Sequence, residues 1–185
     1  GCYSEAMKIF YDIIYSIQRM EPGYLSTAQK LYMQNAHEYI SQHYRDKCFD
    51  FEALCTSSGL KYAHFSNLFK KAFGMSPVRF VTKMKIDYAK ELLVTNRFSV
   101  SEIAEMCGFS DVYYFSAVFK KETGSTVGSY LTRCRIQKAM GLLRQGKLKV
   151  YEIAEACGYR DITYFSGTFK KLVGLTPSEY QNQVK

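Results

Sequence analysis

The sequence predicts an all-α chain of tandem helix-turn-helix units joined by long connecting helices. Three observations predict it: no β-type alternation of useful length, apolar residues spaced i, i+3, i+4, and one short element that occurs three times. The element reads "HFSNLFKKAFG" at 64–74, "YYFSAVFKKETG" at 113–124 and "TYFSGTFKKLVG" at 163–174. Its second phenylalanine falls at 69, 119 and 169, a period of 50 residues. The similarity extends further, because "SVSEIAEMCGFSDVYYFSAVFKKETG" (99–124) aligns without gaps to "KVYEIAEACGYRDITYFSGTFKKLVG" (149–174) with about half the positions identical. The first copy, "DFEALCTSSGLKYAHFSNLFKKAFG" (50–74), is one residue shorter between its first glycine and its Phe-Ser pair.

In chain order, "AMKIFYDIIYSIQRM" (6–20) places Phe10, Ile13, Ile14 and Ile17 on one helical stripe, and "EPG" at 21–23 breaks it. A second helix is expected over about 27–44. In the repeats, Ser99 followed by Glu102 forms a capping box. Ile103, Ala104 and Cys107 then share one face of a short helix, and Gly108 ends it in the left-handed conformation. Val112 to about Lys121 form the next helix, whose Phe115, Val118 and Phe119 make a buried stripe and which Gly124 stops. Ser76-Pro77 and Thr126 open the connecting helices "SPVRFVTKMKIDYAKELL" and "TVGSYLTRCRIQKAMGLL", Pro77 suiting a first helical position. Thr176, Pro177 and Glu179 repeat the start signal for a short final helix.

Composition narrows the function. The net charge is +8. Of 25 basic and 17 acidic side chains, four of each fall in residues 1–45, leaving 21 against 13 in residues 46–185. The excess sits with the repeats, as in a segment facing a polyanion, although a solvated basic surface gives the same count. The chain lacks a run of roughly 20 apolar residues, so no membrane span is expected, and "GCYSEAMKIF" does not read as a signal peptide. The six cysteines (2, 48, 55, 107, 134, 157) include no C-x-x-C pair and there are three histidines, so neither a metal site nor a cofactor is expected. Cys107 and Cys157 read as buried thiols, and the default location is a reducing cytoplasm. No Ser/His/Asp or Cys/His set and no phosphate-cradling glycine loop is spaced for catalysis, so no catalytic residue is assigned. The Asp and Glu residues are expected mostly at caps or exposed helix positions.

Small residues at Cys55, Ala104 and Ala154, with Gly59, Gly108 and Gly158 four positions later, fit two helices crossing closely at a tight turn. "GF-x-D-x-x-YFS-x-x-FKK-x-x-G" and the later "TP-x-x-Y" resemble the C-terminal DNA-binding domain of AraC/XylS-type bacterial transcription regulators, over residues 27–180. The resemblance implies two helix-turn-helix units, rigidly joined, that enter successive major grooves of double-stranded DNA. This chain departs from that norm with a third copy. The division expected is 1–22 as the end of an N-terminal effector and dimerisation domain, then units at 27–95, 96–145 and 146–185. The stripe at 6–20 is either a homodimer contact belonging to that upstream domain or packing against helix 27–44. RNA polymerase stays open as a further partner.

With Phe65, Leu68 and Phe69 inward, the opposite face of the first recognition helix is expected to show Tyr62, Ala63, Ser66, Asn67 and Lys70. The same logic exposes Val112, Tyr113, Ser116, Ala117 and Lys120 in the second copy, and Ile162, Thr163, Ser166, Gly167 and Lys170 in the third, with Arg160 in its turn. The leading residues of each set would read bases, and the pairs Lys70/Lys71, Lys120/Lys121 and Lys170/Lys171 would approach phosphate, assisted by helix N-termini. Solvated charge is the other reading of those lysines. Relatives of this family very often carry Arg after Phe-Ser, where this chain has Asn67, Ala117 and Gly167; each lost bidentate contact to guanine removes about 1–3 kcal/mol of discrimination. Two function classes follow. Either all three copies read DNA, or one copy, the third by its Ile162/Gly167 face, serves protein interaction or packing.

Overall fold

The computed structural model describes residues 26–47, 49–56 and 59–183. Among them are ten α-helices and no strand. The helix expected at 6–20, its dimer contact and the segment 1–22 lie outside the described residues. In order, the helices are α1 (Thr27–His43), α2 (Phe51–Thr56), α3 (Tyr62–Phe73), α4 (Pro77–Thr95), α5 (Val100–Met106), α6 (Val112–Thr123), α7 (Val127–Gln145), α8 (Val150–Ala156), α9 (Ile162–Val173) and α10 (Pro177–Gln183). The chain divides into two compact units, the first ending at Val118 and the second beginning at Phe119, so the division falls inside α6.

Local chemistry sets the helix ends. Ser26 and Gln29 cap α1 reciprocally, and Ser99 and Glu102 do the same for α5. Glu102 donates nothing there: its carboxylate accepts the Ser99 amide at 2.7 Å, and that bond holds its pKa below the ordinary value. Ser76 caps α4 with Pro77 following, Thr126 caps α7, and Thr176 pairs with Glu179 ahead of α10. The connecting helices α4 and α7 are each 19 residues long.

In the first unit, α1, α2, α3 and the start of α4 enclose one core containing Met33, Ile40, Leu54, Phe65, Phe69 and Phe80. The later part of α4 packs against α5, where Ile86, Leu93, Ile103 and Cys107 are buried. In the second unit, Ile136, Leu143, Ile153, Phe165, Phe169 and Tyr180 form the core between α7, α8, α9 and α10. One contact recurs in all three copies. The second phenylalanine meets, edge to face, an aromatic ring on the next helix: Phe69 with Phe80 at 5.4 Å, Phe119 with Tyr130 at 5.3 Å and Phe169 with Tyr180 at 5.6 Å between centroids. Such pairs add about 0.5–1.5 kcal/mol to the burial itself.

The turns also share one hydrogen-bond pattern. Leu60, Phe109 and Tyr159 donate their amides five residues back to Cys55, Ala104 and Ala154, while the preceding glycine amide bonds three residues back. This is the Schellman arrangement, which needs a left-handed residue at the glycine. Val118 is half-buried rather than fully inside. Asp87 departs from the expectation of capping or exposed acids: it is buried on α4 and held by Lys90 at 2.7 Å.

Gly108 sits hard against a neighbouring stretch of backbone. Its φ is +73°, and a Cβ there would collide with the Arg45 carbonyl. Gly124 has the same φ and open space around it. Gly124→Ala should therefore lose about 1 kcal/mol from the left-handed conformation alone. Gly108→Ala should lose about 2 kcal/mol more, because the backbone of Arg45 must move. Urea midpoints of the two variants, compared at equal slope, check the difference.

Candidate nucleic-acid interface

Each recognition helix is anchored on its inner side by two phenylalanines four residues apart: Phe65/Phe69 on α3, Phe115/Phe119 on α6 and Phe165/Phe169 on α9, all fully buried. That anchoring decides which side chains face outward. Ala63, Asn67 and Lys70 are exposed on α3, as are Tyr113, Ala117 and Lys120 on α6 and Thr163, Gly167 and Lys170 on α9. Lys71, Lys121 and Lys171 are exposed beside them, and Arg160 is exposed in the third turn. Tyr113 is the most open, at 83%.

Three expectations need correction. Tyr62 is half-buried, its ring against Phe51 and Phe65. It precedes Phe65 by three residues, so the helix turn brings it back to the core side. Val112, at the equivalent position, is also half-buried, whereas Ile162 is exposed. Ser66, Ser116 and Ser166 are half-buried, and the Ser116 hydroxyl donates to the Val112 carbonyl at 2.9 Å. The exposed arc is correspondingly displaced toward His64, Tyr114 and Tyr164, which the helical count had left out; the two tyrosines are 64% and 67% exposed.

The helix N-termini differ between copies. Asp111 and Asp161 each accept the amide three residues on, from Tyr114 and from Tyr164. Copy one has Lys61 at its N-cap, with no side-chain cap. The sequence signal for these caps was the Asp four residues before the first phenylalanine, where copy one has Lys61; the residue inserted in the later turns, Ser110 or Arg160, precedes it.

Part of the positive charge is committed to contacts within the chain. Lys85 of α4 donates to the Gly108 carbonyl at 2.8 Å and stands 5.3 Å from the Phe109 ring. Burial lowers its pKa, against the opposing effect of Cys107. Arg135 on α7 stands 5.6 Å from the Tyr159 ring, and Lys138 donates to the Ala156 carbonyl at 2.7 Å. Lys47 pairs with Glu105 at 2.7 Å. The 50-residue period carried over to the connecting helices, where it pairs Lys85 with Arg135, was the sequence signal for this role.

Among the described residues, no group of three His, Cys, Asp or Glu side chains is placed to hold a metal, and no helix is long and apolar enough to cross a membrane.

The comparisons with known proteins agree with this fold. The profile of the family described as "Helix-turn-helix domain" matches residues 54–131 and again 113–183, together well over half of the chain. The chain belongs to the AraC-type family of DNA-binding helix-turn-helix domains. The two AraC-type matches overlap at 113–131, which covers α6 from its second residue onward. The Lactose operon transcription activator of Staphylococcus xylosus is 27% identical over 108 residues, 57% of this chain and 38% of that protein. The HTH-type transcriptional activator Btr of Bacillus subtilis is 31% identical over 113 residues, 61% of this chain and 20% of that protein. The chain thus spans well under half the length of the curated relatives it matches. Among solved structures, the C-terminal domain of the two-component response regulator yesN from Fusobacterium nucleatum is 35% identical, with a TM-score of 0.50 over 57% of this chain and 99% of that one. The DNA-binding domain of AdpA, solved in complex with a target DNA, shares the fold at 24% identity, with a TM-score of 0.53 over 57% of this chain and 95% of that one.

Cys107 and Cys157 have no access to solvent, and burial pushes the Cys107 thiol up to about 12 and the Cys157 thiol up as well. Only the thiolate reacts, so at pH 8 the two should resist iodoacetamide in the native AraC-type fold. Cys134, half-buried on α7, should be alkylated first of the three. Peptide mapping before and after addition of urea checks the order.

Proposed function

We propose that the chain is the DNA-reading part of a bacterial, cytoplasmic transcription regulator in which α3, α6 and α9 each enter a major groove. The observation that carries this reading is the repetition of one exposed arc, backed by the same phenylalanine pair and ending in two exposed lysines, on all three helices. On α3, Ala63 and Asn67 face the base edges, Asn67 toward adenine. On α6 the readers are Tyr113 and Ala117, and on α9 Thr163, with Gly167 allowing close approach and Arg160 and Ile162 at the helix start. Tyr62, Val112 and the three serines support these helices rather than read. The six lysines Lys70, Lys71, Lys120, Lys121, Lys170 and Lys171 take phosphate. The connecting helix α4, about 28 Å long at 1.5 Å per residue, has the reach to set two heads one DNA turn of about 34–36 Å apart. Three plain heads then supply what fewer Arg-bearing heads supply elsewhere. The unit boundaries remain 27–95, 96–145 and 146–185 in this reading, with 1–22 as the end of an effector domain that carries dimerisation. RNA polymerase is the partner through which a bound regulator acts on transcription.

One observation favours a second reading for the third copy. Ile162, Tyr164 and Leu172 leave apolar surface on α9, at 45%, 67% and 48% exposure, as a protein-docking helix would.

Selection of binding sites from random duplexes, followed by footprinting, separates the readings. Protection of three successive major grooves is expected; two grooves would favour protein docking by the third copy, and no selected sequence would sink the proposal. At the selected site, Asn67→Ala should weaken binding by about 1–3 kcal/mol and relax one position. Replacing Lys120 and Lys121 by Ala should weaken all sequences alike and lower the slope of log K against log salt by about 1.8.

A further inference from the structure

Beside α9, within the second unit, runs a groove of about 820 Å³ between that helix and the first turns of α7. Its walls include Ser129, Thr132 and Arg133 from α7 and Thr168 and Lys171 from α9, and none of the described residues lining it is acidic. Two glycines open it. Gly128 and Gly167 both line the groove, and a Cβ built on either meets nothing within 4 Å. By the 50-residue period, the corresponding positions in the preceding copy are Val78 and Ala117, which carry side chains, and Thr168 corresponds to the apolar Val118. The third copy has therefore lost bulk and gained a hydroxyl on these walls.

The polar groups are set to donate. Arg133 Nη2 bonds to the Ser125 hydroxyl at 2.8 Å, which positions the guanidinium and leaves its other N–H groups unspent on that bond. The Ser129 hydroxyl accepts from Thr126 at 3.0 Å, so its own proton is directed elsewhere. Thr132 donates to the Gly128 carbonyl and serves only as wall. A groove with two cations, a free hydroxyl proton and no carboxylate suits an anionic chain.

We infer that this groove seats a stretch of the DNA sugar-phosphate backbone, held by Arg133, Lys171 and Ser129, so that the third copy grips the duplex mainly by its backbone while Gly167 reads little. The inference rests on the DNA-binding function proposed above. Duplex DNA is preferred to a small anion because Gly167 and Lys171 belong both to the groove and to the exposed arc of α9. The groove thus continues the reading face instead of forming a separate pocket.

The test uses the full chain and its selected duplex, with affinity measured by fluorescence anisotropy at several salt concentrations. R133A/K171A should lower the salt slope by about 1.8. G128V/G167L fills the groove while keeping both cations; it is expected to weaken binding about tenfold and to remove backbone protection next to the third head. Both glycines lie within helices and face open space, so far-UV circular dichroism should show the fold retained. Variants that bind with unchanged affinity, slope and footprint would overturn the inference while the wild-type footprint left the DNA-binding proposal standing, and would leave the face to a protein partner. A wild-type chain that bound no duplex would overturn both.

Discussion

The edge-to-face contact between the second phenylalanine of each recognition helix and the aromatic ring eleven residues later is what the three heads have in common. Phe69–Phe80, Phe119–Tyr130 and Phe169–Tyr180 differ by only 0.3 Å in centroid distance, although the rings on the following helix are not all the same residue. Burying each phenylalanine contributes about 1.5–3 kcal/mol, and the ring geometry then limits how far the recognition helix can rotate. Rotation by one residue, about 100°, would turn Asn67 away from the outside and bring Lys70 toward the core. Which side chains face outward is thus decided by the aromatic pair behind them, not by the polar residues themselves.

Much of this architecture is legible in the sequence because its signals are local. Ser99 with Glu102, Ser76 with Pro77 and the glycines at 59, 108 and 158 act through bonds to residues within a turn of themselves, and the structure has each of them where the spacing puts it. The 50-residue period adds the inner phenylalanines. What the sequence hides is rotation and tertiary pairing. Tyr62 looks like a reader when only the strongest apolar positions are counted; three residues from Phe65, it falls to the core instead. Asp87 looks like a surface acid, yet it lies under its own helix neighbours with Lys90, because α4 is covered along much of its circumference. No local pattern foretells that covering.

Charge illustrates the same limit. The basic excess in residues 46–185 reads as one undivided surface property. In the fold it separates into lysines that stay in water, such as Lys70 and Lys120, and cations tied to carbonyls and rings at the turns, such as Lys85 and Arg135. The second group holds the turn glycines and their neighbouring aromatics in place. Net charge therefore overstates the number of positive groups that a polyanion can reach, and the slope of binding against salt reports the smaller number.

The capping difference between copies carries one further consequence. A helix start is electropositive, and the amides of its first turn are natural seats for phosphate. On α6 and α9 an aspartate already occupies one of those seats and brings a negative charge to the leading end of the helix. On α3 the same place is taken by Lys61, with its amides unclaimed by any side-chain cap. The leading ends of the three helices thus differ in charge, basic on α3 and acidic on α6 and α9. An anion would find the leading amides uncapped on α3, and a carboxylate beside them on the other two. A threefold repetition in sequence has in this way diverged in charge at the very point where its helices begin.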